Sequence, residues 1–231
     1  MKKTVVLFSG GIDSTTALYW ALSRAGRVFP LTFDYGQRHK IEIRLARRLT
    51  TKLGLRHIFL KVDLGQIGGS ALTDRKIPVP RGRIIERAPK RTPATYVPFR
   101  NGVFLALAAA WAEARGVEEL VCGFNVIDSP NYPDTRKAFV RAMEKAINAG
   151  TRAAFGAKPI KIIAPFVNLR KSEIIKLGIS LGADYSHSVS CYAGQEVPCG
   201  RCSSCLLRAK AWEEAGVRDP LVHRLEKEGR I

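Results

Sequence analysis

The sequence predicts an α/β chain: a doubly wound, five-stranded parallel sheet followed by a small four-cysteine segment. Three observations predict it. Short apolar runs alternate with helix-patterned segments along residues 4–182. The runs are apolar at nearly every position, as strands must be when helices cover both faces of a sheet. Composition then changes from about residue 185, where four of the five cysteines crowd between 191 and 205.

The elements follow in order. Residues 4–9, TVVLFS, read as the first strand, and residues 13–25 as its helix. VFPLTFDYG, 28–36, is the second strand, and Ile41, Leu45, Leu49 and Leu53 then fall on one helical face. HIFLKVDL, 57–64, is the third strand. Residues 101–116 form a helix with Gly116 just past its end. ELVCGFN, 119–125, is the fourth strand. Residues 135–150 place Phe139, Met143, Ala146 and Ile147 on one side of a helix. IKIIAPF, 160–166, is the fifth strand, and residues 171–182 its helix. Such units build a parallel sheet with right-handed crossovers, and its ligands bind beyond the carboxyl ends of the strands. Residues 1–184 are read as the nucleotide-binding domain and 185–231 as a metal-bound segment.

Composition narrows the function. Thirty-eight basic against 20 acidic residues give a net charge of +18, which suits a partner rich in phosphate or a generally basic surface. The longest apolar run, 103–112, is too short to span a bilayer, and the N-terminal apolar run is too short for a secretion signal. A cytoplasmic location is expected. Residues 65–98, rich in Gly, Pro and Arg, read as a solvated basic loop or as a lid that closes over an anionic substrate.

Two motifs carry chemistry. In SGGIDST a strand runs into glycines and then a helix start. Backbone N–H groups can there approach an anion closely, with the helix dipole pointing at the same spot. Ser9, Ser14 and Thr15 add hydroxyls, and Asp13 can brace the loop or help hold Mg²⁺. The pattern is neither a Walker motif nor a dinucleotide fingerprint. In SCYAGQEVPCGRCSSC, Cys191, Cys199, Cys202 and Cys205 have the spacing of a closed thiolate site. Tetrahedral Zn²⁺ is expected, with an iron–sulfur cluster as the alternative. Cys122 stands apart and reads as a small buried strand residue.

SGGIDST resembles the PP-loop of ATP pyrophosphatases. Together with TFDYGQRH at 32–39, TYVPFRN at 95–101, YPDTR at 132–136 and the cysteine block through Trp212, it resembles the 7-cyano-7-deazaguanine synthase (QueC) family over nearly the whole chain. The resemblance implies a PP-loop fold and ATP-dependent conversion of 7-carboxy-7-deazaguanine and ammonia to the nitrile preQ0, through adenylated intermediates. PreQ0 is the precursor of queuosine or archaeosine in tRNA.

It also implies roles. The nucleotide stretch is Phe8, Ser9, Gly10, Gly11, Ile12, Asp13, Ser14, Thr15, Thr16, Ala17 and Leu18. Asp13, Ser14, Arg38 and Lys171 are the catalytic candidates, Lys171 as a phosphate contact. Asp34, Tyr35, Gln37, Arg38, Arg100, Asn101, Asp134 and Arg136 are the substrate candidates, and His39 is read as structural. One structural Zn²⁺ on the four cysteines, ATP with Mg²⁺, and a homodimer complete the expectation. Direct nucleic-acid binding is not required. Two departures lie beside the expected substrate site: Phe99 stands where the family commonly has Gly, and SPNYPDTR stands where it commonly has SGYPDCR. Two other readings are a tRNA-acting PP-loop enzyme and a zinc-ribbon nucleic-acid module without ATP turnover.

Overall fold

A computed structural model describes residues 2–82, 92–125 and 131–231. Part of the basic loop and Ser129–Pro130 of the second departure lie outside the described residues. Five parallel strands form one sheet in the order β3-β2-β1-β4-β5: β1 Lys3–Leu7, β2 Arg27–Asp34, β3 Ile58–Lys61, β4 Glu119–Val121 and β5 Lys161–Ile163. The helices are α1 Ile12–Leu22, α2 Ile41–Lys52, α3 Arg100–Glu113, α4 Lys137–Ala149, α5 Lys171–Ser180, α6 Ser203–Ala215 and α7 Pro220–Lys227.

Alternation along the strands assigns residues to two cores. Val5, Leu31, Phe33, Leu120 and Ile162 face α3 and α4. Val6, Phe8, Val28 and Val121 face the other way, toward Ala17 and Leu18 of α1, Leu49 of α2 and Ile174 of α5. The sheet is therefore doubly wound. Each fully buried Leu here, such as Leu18, Leu31 or Leu120, contributes about 1.5–3 kcal/mol.

Residues 185–231 contribute α6 and α7, two helices that the strand–helix alternation did not announce. They pack on the sheet's own helices. Tyr185 and Trp212 meet edge to face at 5.2 Å and share a buried cluster with Ile12 of α1 and Ile175 of α5. The Tyr185 hydroxyl lies 2.6 Å from Thr16 Oγ1. Only glycine permits that approach, since a Cβ at Gly178 would sit 1.6 Å from the Tyr185 oxygen. Leu221 and Leu225 of α7 join Leu45 of α2 around the cysteines.

The sheet order reverses between β1 and β4. Neighbouring crossovers leave in opposite directions there, which opens a crevice at the carboxyl ends of those strands. The chain segments that leave β1, β2 and β4 wall it.

Candidate active site and metal centre

A cavity of about 350 Å³ occupies that crevice. One end is the glycine turn after β1. Gly10 has φ +82°, a left-handed conformation that glycine adopts without strain, and a Cβ there would press on Ala46 and on the Glu42 carbonyl at 3.2 Å. The turn is braced internally. Ser14 Oγ donates to the Gly11 carbonyl at 3.0 Å and accepts the Ser9 N–H at 3.3 Å, while Ser9 Oγ accepts the Gly11 N–H at 3.3 Å. The first N–H groups of α1 have no carbonyl one turn earlier in the helix and point into this end. Across it, Lys171 at the start of α5 reaches both Asp13 carboxylate oxygens, at 2.9 and 2.8 Å. The geometry suits a phosphate chain: small, polar, and edged by a cation.

The other end is aromatic. Tyr35, Phe104, Tyr132 and Tyr192 line it with Arg100 and Asn101. Arg100 donates to the Tyr35 hydroxyl at 3.2 Å and lies over the Tyr35 ring. Burial pushes the Tyr35 phenol up to about 12, although the Arg100 charge pulls the other way. Burial works against the Arg100 charge, but Tyr35, Asp134 and Glu42 outweigh it and hold the guanidinium protonated. Asn101 is fixed by Asp134, whose Oδ2 accepts the Asn101 N–H at 3.0 Å and whose carbonyl accepts its side-chain amide at 3.3 Å. A carboxylate from another segment thus caps α3.

Phe8, Ser9, Gly11, Ile12, Asp13, Ser14, Tyr35, Arg100, Asn101 and Lys171 come together in the cavity wall. Gly10 lies in the same turn, while Thr15, Thr16, Ala17 and Leu18 are buried in α1 behind it. The remaining substrate candidates are not in the wall. Asp34 turns outward to Lys40, at 3.2 Å. Gln37 is buried and ties the turn after β2 together, accepting the Tyr35 N–H at 2.8 Å. Arg38 donates to the Asp74 carbonyl at 2.7 Å and so anchors the following loop. Asp134 stands behind Asn101, and Arg136 precedes α4.

The wall also contains His39, expected from the sequence to be structural, and four groups that were not among the site candidates: Glu42, Asn125, Tyr132 and Tyr192. His39 and Glu42 stand three apart at the start of a helix, a spacing visible in the sequence. Cys122, buried just after β4, also borders the cavity, and burial raises its thiol far above the ordinary range.

The four cysteine sulfurs lie within 4.8 Å of one another and are buried or half-buried. Cys199 Sγ is 4.0 Å from Cys205 Sγ, and Cys191 Sγ accepts the Cys199 N–H at 3.3 Å. A tetrahedron with metal–sulfur bonds of about 2.3 Å needs sulfurs about 3.8 Å apart, so the set fits one ion. The fourth ligand leaves no open position, which is the character of a structural site. Gly82 N–H bonds to the Arg201 carbonyl at 2.9 Å, tying the basic loop to this segment. Among the described residues, no helix is long and apolar enough to cross a membrane.

Comparison with solved structures places the fold. A crystal structure from Methanocaldococcus jannaschii, described as a predicted subunit of tRNA methyltransferase, superposes with a TM-score of 0.51 at 17% identity, covering 78% of this chain and 75% of that one. A 4-thiouridine synthetase solved with RNA and ATP superposes at 0.50 with 21% identity, over 99% of this chain and 53% of that one. These likenesses show the fold alone. Sequence relatives go further. The 7-cyano-7-deazaguanine synthase of Anaeromyxobacter sp. is 48% identical over 224 residues, 96% of each chain. That of Saccharophagus degradans is 45% identical over 222 residues, 95% of this chain and 96% of its own. That of Clostridium kluyveri is 45% identical over 229 residues, 98% of this chain and 100% of its own. The model of the queuosine biosynthesis protein QueC matches residues 3–216, which span both the glycine turn and all four clustered cysteines. With both motifs inside that one match, the chain belongs to the QueC family.

Proposed function

We propose that this chain converts 7-carboxy-7-deazaguanine, ammonia and ATP to 7-cyano-7-deazaguanine. The observation that carries the reading is the cavity itself, a phosphate-shaped turn continuous with an aromatic, cationic compartment sized for a purine-like ring. Near full-length similarity to named synthases supports the same chemistry.

A carboxylate is a poor acyl donor because its leaving group would be oxide. Transfer of AMP to its oxygen supplies a good leaving group and expels pyrophosphate. The backbone N–H groups at Gly10 and Ile12 would hold that pyrophosphate, with Ser9, Gly11 and Ser14 keeping the turn in shape. Lys171 would trade one Asp13 oxygen for a phosphate oxygen as charge develops there. Mg²⁺ would enter with ATP, and Asp13 is the loop's carboxylate, the hard oxygen donor that this ion prefers. Tyr35 and Arg100 would seat the deazaguanine and its carboxylate, an anion matched by the Arg100 fork. Gln37, Arg38, Asn101 and Asp134 would act by holding those groups in place, and Asp34 and Arg136 would lie at the margin. Ammonia gives the amide, and a second activation on the amide oxygen permits loss of that oxygen to leave the nitrile.

Structural Zn²⁺ on the four cysteines, a division at about residue 185, a dimer of two such chains and a cytoplasmic location complete the reading. The test is mass spectrometry of products from the carboxylate, ATP, Mg²⁺ and ammonium. The nitrile is expected without any RNA present. Turnover that requires tRNA, or ATP consumption without amide or nitrile, overturns the proposal.

A further inference from the structure

We infer that His39, held by Glu42, is the base that accepts the proton released each time nitrogen is joined or its bond order raised at the activated carbon. The inference rests on the nitrile-forming reading above and adds a proton acceptor to it.

His39 sits one residue before the N-cap of α2, 6% exposed, in the cavity wall. Its Nε2 faces Glu42 Oε2 at 3.4 Å. Its Nδ1 has no hydrogen-bond partner among the described residues. A carboxylate opposite Nε2 favours the tautomer with its proton there, which leaves the Nδ1 lone pair unused. Burying an imidazole with a vacant acceptor costs free energy unless something is meant to meet it. Glu42 is itself fixed. Its Oε1 accepts the Gln37 amide at 3.2 Å, and Gln37 also donates to the Phe33 carbonyl at 3.2 Å. Tyr35 and Tyr192 rings flank the imidazole at 6.5 and 5.9 Å. Among the described residues, Glu42, Tyr35 and Tyr192 are the titratable groups that face it, with Arg100 beyond Tyr35.

Position supports the assignment. The Glu42 carbonyl backs directly onto Gly10 of the phosphate turn, and Tyr35 leads from His39 to Arg100. The dyad thus adjoins both the phosphate turn, through Glu42, and the ring end, through Tyr35, the two ends that a carboxyl carbon bearing AMP would join. In the first step the ammonia lone pair forms the C–N bond. The C–O bond to AMP breaks and its electron pair leaves on the phosphate oxygen. The surplus N–H proton goes to Nδ1, giving an imidazolium opposite the Glu42 carboxylate. In the second, transfer of AMP to the amide oxygen sheds one N–H proton to the departing pyrophosphate and leaves an imidate, which loses its remaining N–H proton to Nδ1 as that bond's electron pair forms the third C–N bond and AMP departs. Between steps the proton returns to water.

The test separates adenylation from nitrogen transfer. Carboxylate-dependent exchange of labelled pyrophosphate into ATP, without ammonium, reads the first. Amide and nitrile formation at saturating ammonium reads the second. His39→Gln is expected to keep exchange within about threefold of wild type and to lose about 10²–10⁴-fold in product formation. Added imidazole should restore part of the rate to His39→Ala. Glu42→Gln, which acts through His39, is expected to lose about tenfold in product with exchange retained, and Glu42→Asp to recover it. Product at the wild-type rate in His39→Gln overturns the inference. So does a parallel loss of exchange and product in all these variants, the sign of a merely structural pair. Absence of exchange in the wild-type protein would instead sink the adenylation reading beneath it.

Discussion

Asp13 and Lys171 are 158 positions apart in the chain, yet the Lys171 ammonium lies 2.8 Å from one Asp13 oxygen and 2.9 Å from the other. Asp13 lies in the first turn of α1 and Lys171 opens α5, so the pair clamps two helix N-termini across the mouth of the glycine turn. Both side chains keep about a fifth of their surface exposed. Such a pair stabilises a fold by about 0–1 kcal/mol, which is little reason to place a cation there. On the function proposed here, its value would lie in facing a phosphate chain.

Lys171→Gln should therefore separate catalysis from stability. We expect turnover to fall about 10²-fold, with the loss in kcat, because the lysine meets charge that develops as pyrophosphate leaves. The unfolding free energy should change by about 1 kcal/mol or less. Steady-state pyrophosphate release and urea titration measure the two. A variant with normal kcat would remove Lys171 from the transition state.

The cysteine cluster predicts a metal dependence. Cys202→Ser should lower bound zinc, measured by elemental analysis, from one equivalent toward none and reduce stability by several kcal/mol. The loss should spread beyond the cluster, because Leu221 and Leu225 pack there against Leu45 of α2. Cys122→Ser should leave metal content unchanged, since Cys122 is not among the four clustered sulfurs. Iron and acid-labile sulfide in the purified protein would replace zinc with a cluster.

The strands, the glycine turn and the cysteine cluster were legible because each is a local signal. An all-apolar run, two glycines before a helix, or paired CxxC spacing announces itself within a few residues. Helix α6 was hidden inside the cysteine motif. Its face is broken by Arg208, which is 4% exposed and reaches Asp219 at 2.7 Å. The loop after β2 was misleading for another reason. Four polar residues there look equivalent in sequence, but the turn sends Tyr35 into the cavity, Gln37 back to Glu42 and Arg38 out to Asp74. Direction within a turn is set by the segments it meets, and those lie far along the chain.

His57 makes stability depend on pH. Its ring nitrogens bond Thr32 and Thr50 at 2.7 and 2.8 Å. Burial, helped by the Arg47 charge, lowers its pKa to about 4 from the ordinary 6.5. Between those values the unfolded chain takes up a proton that the folded chain refuses. Stability should be full above pH 6.5 and fall as pH drops toward 4, by about 1–2 kcal/mol once solvent screening is allowed for. Thermal melts across that window should show a shallower fall in His57→Gln. Equal slopes in the two proteins would place the titration elsewhere.

Phe99 is the one non-glycine among the described residues with a positive φ, +51°, and it precedes α3. A left-handed backbone costs an L-residue about 1–2 kcal/mol, which glycine avoids. Its ring, half exposed, recovers part of that by meeting Phe139 edge to face at 5.9 Å. Phe99→Ala and Phe99→Gly both remove the ring but differ in backbone tolerance. The alanine variant keeps the strain without the contact, so it should be the least stable of the three proteins. The glycine variant should exceed it by about 1 kcal/mol, even after its larger unfolded-state entropy is counted. Urea titration of both settles the order. Alanine equal to or above glycine would mean that the turn before Arg100 relaxes when the ring is gone, and that the start of α3 is not held in this conformation by its neighbours.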